Sequence, residues 1–358
     1  MTLKDLAKEL ELSPSTISRA FSRPNMVTPR TLARIRAAIE DTGFRPNAVA
    51  QSLRTNKTRT VGLLVADISN WFFGLIVESV EDAARLHGYS VLVCNAKEER
   101  AREEQALELL SARKVSGVIN CSTGASVDSL QAFQRRGIPL VELDRRSGLN
   151  HVSSVMLDNE RAGRLAARHL LQLGHTRVAT IAGPGHLSNG KARLRGFVQE
   201  MTDAGISLPK HYIEIGDYRD ESGFRAASKL VGLKEPPTAL FVANSEMTLG
   251  ALTALRERQI GVPRDLSIVG FDDPLWARHL DPALTVVTQP IVEMAKTATA
   301  LLLSLLQDPE AIRLEVFPPD LMIRHSTAPL QHQQPGEKNR RKLRSVLERA
   351  RDALGKEL

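Results

Sequence analysis

Residues 2–21 read TLKDLAKELELSPSTISRAF. Leu3, Leu6, Ala7 and Leu10 recur at helical spacing, which predicts a first helix over residues 3–10. Ser13 offers an N-cap hydroxyl, and Pro14 suits the first turn of a second helix. Ile17, Ala20 and Phe21 give that helix one apolar stripe, with Ser15, Thr16, Ser18 and Arg19 on its other face. Two short helices joined by about three residues form a helix-turn-helix. In that motif the second helix enters the major groove of DNA, N-terminal side chains first. Pro14, Ser15, Thr16, Ser18 and Arg19 are therefore candidate DNA contacts, and Arg19 suits a bidentate contact to guanine. Thr28-Pro29 opens a third helix by the same cap logic, and Gly43 ends it.

The following stretch, RPNAVAQSLRTNKTR (45–59), lets Asn47 cap a helix over about Ala48–Arg54. So short a helix is unstable alone in water. Leu53, beside the basic Arg54, Lys57 and Arg59, combines an apolar wedge with phosphate-binding charge. Asn47, Ala50, Leu53 and Arg54 are the candidate contacts here. Taken by itself, however, the segment reads first as an ordinary linker.

Charge agrees with the head reading. Residues 1–60 hold 11 Lys/Arg against 5 Asp/Glu, residues 331–358 hold 8 against 4, and residues 61–330 hold 29 against 32. A basic small module on a near-neutral body is the footprint of a polyanion binder. The charge pattern alone fits a merely solvated basic surface as well. No apolar run reaches membrane-spanning length, and the acid-containing N-terminus lacks a signal peptide's apolar region. Cys94 and Cys121 have no metal-type neighbours, so buried reduced thiols in the cytoplasm are the expectation.

The body alternates β-rich and helical runs. Strands are expected at Val61–Ala66, Ser90–Asn95, Gly117–Cys121, Leu140–Asp144, Val178–Ala182, Tyr212–Ile215, Ala239–Val242, Leu266–Phe271 and Val286–Gln289. Amphipathic helices lie between them, among others at Phe73–His87, Glu160–Leu173, Lys191–Ala204 and Ser222–Leu230. This alternation implies parallel sheets covered on both faces, best arranged as two doubly wound lobes. Ligands of such folds bind at the carboxyl ends of strands. Those ends carry Asp67, Asn70, Trp71, Phe72 and Phe73, then Asp144-Arg145, Gly183 to Arg193, Asp217-Tyr218, Asn244 and Asp272-Asp273. Together they offer carboxylates, guanidinium and amide groups beside aromatic faces, which is what a sugar needs. Taken singly, each is more often a cap or turn residue.

The chain resembles the lactose/galactose-repressor family. Its head matches at Thr2, Leu3, Asp5, Ala7, Leu10, Ser13, Thr16, Ile17, Ser18 and Arg19, and departs at Glu11, where the family usually has glycine. If that turn needs a positive φ, glutamate costs about 1–2 kcal/mol there. The likeness continues through VTPRTLARIRAAIEDTGFRPNAVAQSLRTNKTRTVGLLV (27–65), NWFFGLIVESVEDAARLHGY (70–89), VSSVMLDNERAGRLAARHLLQLGHTRVATIAG (152–183), ARLRGF (192–197), GDYRDESGFRAA (216–227), LFVANSEMTLGAL (240–252), LSIVGFDDP (266–274) and PALTVVTQP (282–290).

The resemblance implies an α/β architecture with a helix-turn-helix head and a two-lobed, periplasmic-binding-protein-like core of doubly wound parallel sheets. It places the DNA-binding domain at 1–45, a hinge at 46–59 and an effector-binding core at 60–330. The N-lobe then spans about 60–159 and 289–317, and the C-lobe about 160–288 and 318–330, with a basic tail at 331–358. It implies a hinge helix in the minor groove with Leu53 as wedge. It also implies effector contacts at Phe72, Phe73, Arg193, Tyr218, Asn244 and Asp272. Arg145 and Lys191 sit where the family varies, and extra cations there suit an acidic or phosphorylated sugar. Asn244-Ser245 stands where the family usually has Asn-Asp.

The function implied is that of a transcription regulator, a repressor by expectation, whose grip on a palindromic DNA operator is controlled by a sugar or sugar acid. A homodimer supplies the two heads that such an operator needs. Leu343, Val346, Leu347, Ala350 and Leu354 form a stripe in the tail that is short for a coiled coil. A frayed tail is therefore the first reading and a tetramer the second. The competing function is a sugar-binding protein with no DNA role. Gly183-Pro184-Gly185 lacks the rest of a dinucleotide fingerprint, no P-loop occurs, and the nine histidines show no catalytic or metal spacing. No catalytic residue, metal or cofactor is expected.

Overall fold

The computed structural model describes residues 3–22, 24–43, 58–124 and 127–330, in two compact units that divide after Arg59. The first unit holds α1 (Leu3–Glu9), α2 (Pro14–Ser22) and α3 (Pro29–Thr42), with a 3₁₀ turn at Pro24–Met26. Local chemistry sets each boundary. The Ser13 hydroxyl accepts from the Thr16 amide at 3.1 Å and starts α2. Thr28 accepts from the Thr31 amide and starts α3, and Gly43 stops it at φ 62°. Between α1 and α2 the chain turns through Glu11 at φ 52°, so the strained conformation foreseen for this residue is present.

Leu6, Ala7, Ile17, Ala20 and Ile35 form the buried core of the head. Burying each large member contributes about 1.5–3 kcal/mol, so a core this small leans on its caps. Ser18 departs from expectation. It is only 8% exposed, because it lies about 100° around the helix from Ile17 and about 60° from Phe21, at the flank of the apolar stripe. Pro14, Ser15 and Arg19 are exposed and Thr16 is half-buried. Asn47, Ala50, Leu53, Arg54 and the tail stripe lie outside the described residues.

The second unit contains two six-stranded sheets. The first lobe runs β1 (Thr60–Val65), α4 (Trp71–Leu86), β2 (Ser90–Asn95), α5 (Arg100–Ala112), β3 (Gly117–Asn120), α6 (Val127–Gln134), β4 (Leu140–Leu143) and β5 (Ser153–Leu157). The chain then enters the second lobe with α7 (Asn159–Gln172), β6 (Val178–Ala182), α8 (Ser188–Asp203), β7 (Ile213–Ile215), α9 (Asp220–Val231), β8 (Ala239–Val242), α10 (Ser245–Glu257), β9 (Ser267–Phe271), α11 (Leu275–His279) and β10 (Thr285–Thr288). It returns for α12 (Ile291–Leu305) and β11 (Leu314–Phe317), and crosses once more into β12 (Asp320–Met322). The sheet orders are β11-β5-β4-β3-β1-β2 and β12-β10-β9-β8-β6-β7. All pairs are parallel except β10 with β12.

Central strands such as VATIA and SIVGF are buried at every position, as parallel strands covered by helices on both faces must be. Three strands were not foreseen. β5 opens on two serines and leaves only three apolar residues to mark it, although all five of its residues are buried. β11 and β12 are sheet edges that carry Glu315 and Asp320 and are half open to solvent.

Within the second lobe, α7 and α8 cross at backbone contact. A Cβ on Gly196 would lie 1.9 Å from the Glu160 carbonyl oxygen, and one on Gly163 would lie 2.0 Å from that of Arg193. Only glycine permits this approach, and it delivers Arg193 to the site described below.

Candidate functional site: a polar cleft at the strand ends

The carboxyl ends of β1, β4, β8, β9 and β10 converge with the start of α8 on a cleft between the two lobes. The cavity measures about 280 Å³ with its mouth and is lined by Asn70, Phe72, Phe73, Asp144, Arg145, Asn189, Arg193, Tyr218, Asn244, Asp272 and Gln289. This is where a doubly wound sheet binds ligands, since the loops after the strands diverge there.

Asn70 caps α4 by accepting from the Phe72 amide at 3.0 Å. That places Phe72 and Phe73 in the first turn, edge to face with ring centroids 4.9 Å apart. Arg193 projects from α8. Its Nε donates to Asn159 Oδ1 and its Nη1 to the Ala243 carbonyl, both at 2.7 Å. Its guanidinium lies over the Phe271 ring, 3.6 Å from the centroid, an attraction between cation and π face. Asn244 caps α10 by accepting from the Met247 amide at 3.0 Å and donates to the Tyr218 carbonyl at 3.2 Å. Capping therefore does not depend on Ser245.

Asp144, Tyr218 and Asp272 all adopt left-handed backbone, at φ 68°, 67° and 67°. Each costs about 1–3 kcal/mol, and each turns a side chain from the end of a strand into the cleft. Tyr218 needs a second concession. A Cβ on Gly183 would meet its ring at 2.3 Å, so Gly183-Pro184-Gly185 makes room for a tyrosine and cradles no phosphate.

The cleft joins the lobes chemically. Asn189 donates to Asp144 Oδ2 at 3.0 Å and accepts from the Tyr218 hydroxyl at 3.1 Å. Arg146 donates its amide to Ser188 Oγ at 2.8 Å. Arg145 lies between the Phe73 and Tyr218 rings, 5.5 and 5.4 Å from their centroids. Burial raises the carboxyl of Asp144 above its usual range, against the pull of Arg145 and Arg193. Burial likewise pushes Asp272 up to about 6 and the Tyr218 phenol up to about 12. Burial works against the Arg145 charge, but Glu98 and Asp144 outweigh it and hold the guanidinium above its ordinary pKa.

The arrangement can grip a small, hydroxyl-bearing molecule. Asp144 Oδ1 and Gln289 Oε1 are buried acceptors without a hydrogen-bond partner, and two phenyl rings stand beside them. Among the described residues no group of His, Cys, Asp or Glu is placed to hold a metal ion, and no helix is long and apolar enough to cross a membrane.

A family model described as bacterial regulatory proteins, lacI family, matches residues 2–47. One for a periplasmic binding protein-like domain matches residues 167–327. The HTH-type transcriptional repressor PurR of Erwinia tasmaniensis is 33% identical over 331 residues, covering 91% of this chain and 97% of that protein. This chain belongs to the lacI family. Among solved structures, a lac repressor dimer bound to operator and the anti-inducer ONPF is 28% identical at TM-score 0.80, covering 92% of this chain and 99% of that one. A lacI-family regulator from Enterococcus faecium with bound ribose is 31% identical at TM-score 0.69, covering 76% of this chain and 99% of that one.

The chain is thus a DNA-binding transcription regulator with a ligand-controlled core, and the reading as a sugar-binding protein without a DNA role is set aside. In this lacI-family regulator the seven residues singled out for the effector, Phe72, Phe73, Arg145, Arg193, Tyr218, Asn244 and Asp272, all line the one cleft. Lys191 does not line it and is exposed on α8. Asn189 and Gln289 were missed. Asn189 sits in the first turn of α8 and Gln289 directly after β10, where an amide is indistinguishable from ordinary cap or turn chemistry. Asp67, Asp217 and Asp273 are turn and ion-pair residues instead. Asp67 accepts from Ser69 and Asp217 from the Arg219 amide, while Asp273 pairs with Arg278 and Arg324. The two cysteines are free and buried.

Proposed function

We propose that this regulator is a cytoplasmic, homodimeric repressor whose affinity for a palindromic operator is set by a sugar bound in the cleft. Phe72, Phe73, Arg145, Arg193, Tyr218, Asn244 and Asp272, with Asn189 and Gln289, form the effector site. The observation that carries this reading is the pair of unpartnered buried acceptors, Asp144 Oδ1 and Gln289 Oε1, beside two aromatic rings in one small cavity. Sugar hydroxyls supply the missing donors, and the rings cover the apolar face of the sugar. The ribose-bound relative supports the class.

In the head, residues 1–45, Pro14, Ser15, Thr16 and Arg19 meet DNA, and Ser18 seats the helix. Asn47, Ala50, Leu53 and Arg54 in the hinge, residues 46–59, complete the contact. The effector changes DNA affinity only by its differential affinity for the two states of the core. The protein binds its ligand and carries out no reaction on it.

The test is selection of DNA from a random pool by the full chain at defined salt, followed by sugar titration on the selected site. A short palindrome released or tightened by a sugar is the expected result. No enriched sequence, with or without sugars, refutes the reading.

A further inference from the structure

Two cations suggest an anionic effector from the sequence, and the structure takes both away. Lys191 is exposed and outside the cleft. Arg145 lines the cleft, but both terminal nitrogens of its guanidinium are already committed. Nη1 and Nη2 each donate to Glu98 at 2.7 Å, one to each carboxylate oxygen. Nη1 also donates to the Ser122 carbonyl at 3.2 Å, and Nε lies 3.4 Å from Asp144 Oδ2. Such a two-pronged pair fixes the guanidinium plane as well as its charge.

Glu98 reaches Arg145 from the turn between β2 and α5, at φ 57°. Its side chain is 15% exposed and that of Arg145 is 3% exposed, so salt in the solvent screens the pair little. The remaining cation, Arg193, spends Nε and Nη1 on Asn159 and Ala243. Against these two cations stand three carboxylates, Glu98, Asp144 and Asp272. Of the buried polar atoms without a hydrogen-bond partner on the residues lining the cleft, Asp144 Oδ1 and Gln289 Oε1 are acceptors, and the one donor, Arg145 Nε, lies in the ion pair with Asp144 Oδ2. A carboxylate or phosphate group on a ligand has no hydrogen for them and adds a further negative charge. A hydroxyl satisfies them at no such cost.

We propose that Glu98 determines the charge of the effector: by clamping Arg145 it reserves the cleft for uncharged, hydroxyl-rich ligands and turns away sugar acids and sugar phosphates. This rests on the cleft being the effector site. Glu98 itself does not line the cavity and acts through Arg145 as a specificity-determining residue. Its replacement by glutamine keeps the shape, removes one negative charge and leaves the Arg145 cation free to meet an anion.

The test uses the full chain, as wild type, Arg193→Ala, Glu98→Gln, and Glu98→Gln with Arg145→Gln. Binding is measured by calorimetry with D-ribose, D-xylose, D-glucose and D-galactose, and with D-gluconate, D-glucuronate, ribose 5-phosphate and glucose 6-phosphate. Wild type is expected to bind at least one neutral sugar and to prefer it to the acids and phosphates. Glu98→Gln is expected to raise the affinity for an acid or phosphate relative to its neutral parent by about tenfold to a hundredfold. Adding Arg145→Gln removes that gain. Wild type preferring an acid or phosphate to its neutral parent, or an unchanged ratio in Glu98→Gln, overturns the role of Glu98 and leaves the effector site standing. Binding untouched by Arg193→Ala, or no binding of any probe, overturns the effector-site reading and this role together.

Discussion

Glu11 shows what a single residue tolerates for its neighbours' sake. Its positive φ costs about 1–2 kcal/mol that glycine would not incur. The small core under the turn holds it there nonetheless. Glu11→Gly should stabilise the head by about 1 kcal/mol, read as a several-fold rise in amide-exchange protection at Ile17 and Ile35 in the full chain. Unchanged protection would mean the turn bears no strain. Asp272 carries strain of a second kind. Its carboxyl sits at about 6 because burial outweighs the help of Arg193 and Gln289. A carboxyl raised in the folded state penalises the charged form, so the penalty is full above about pH 6 and fades as pH falls toward the ordinary value near 4. Asp272→Asn should therefore gain stability over wild type as pH rises from 4 to 7, by up to about 3 kcal/mol, in urea unfolding. The same variant should lose its effector response and keep its operator. A gap that does not change with pH would contradict the buried-charge account.

The elements divide into those legible from spacing and those that are not. Helix α2 follows directly from Ser13, Pro14 and the Ile17, Ala20, Phe21 stripe. Arg19→Ala should cost about 1–3 kcal/mol on the operator and relax one base position, measured by binding to a panel of single-base variants. Equal loss on every variant would leave Arg19 a phosphate contact. Strand β5 was illegible because Ser153 and Ser154 read as loop. The fold uses them as buried polar residues, and Ser153 Oγ accepts from the Arg313 amide at 3.1 Å. The α7–α8 crossing was equally invisible, since a helical glycine alone signals only lost propensity. Gly196→Ala should drive the helices apart, costing about 1–3 kcal/mol in unfolding and weakening effector binding with it, because Arg193 rides on α8. Full stability in that variant would show that the crossing has slack.

At the scale of the core, the last described segment is tied down by two histidines. His169 Nε2 meets Thr327 Oγ1 at 2.9 Å, and His175 meets Thr238 Oγ1 and the Ala328 carbonyl, each at 3.0 Å. Burial lowers the pKa of both. A histidine lowered in the folded state favours the neutral ring. Its stabilisation is therefore present above the ordinary value near 6.5 and is lost as pH falls through and below it. Between pH 7.5 and 5.5 wild type should lose more unfolding free energy than His169→Gln with His175→Gln. Parallel loss in the two proteins would show that other groups dominate.

The sequence by itself determined the local and repeating features. Caps and apolar stripes set the head helices, alternation of strand and helix set the two doubly wound lobes, and strand ends marked where a ligand would sit. These depend on neighbours within a few residues, where pattern and propensity act. Tertiary structure alone decided which side chains meet. It buried Ser18 at the flank of a stripe and opened space for Tyr218 over Gly183. It also brought Glu98 to Arg145 across 47 positions of chain, an ion pair that neither residue announces in the sequence. The physical reason is range: a charge seen in sequence is only a residue type, and its effect belongs to whatever partner the fold places against it.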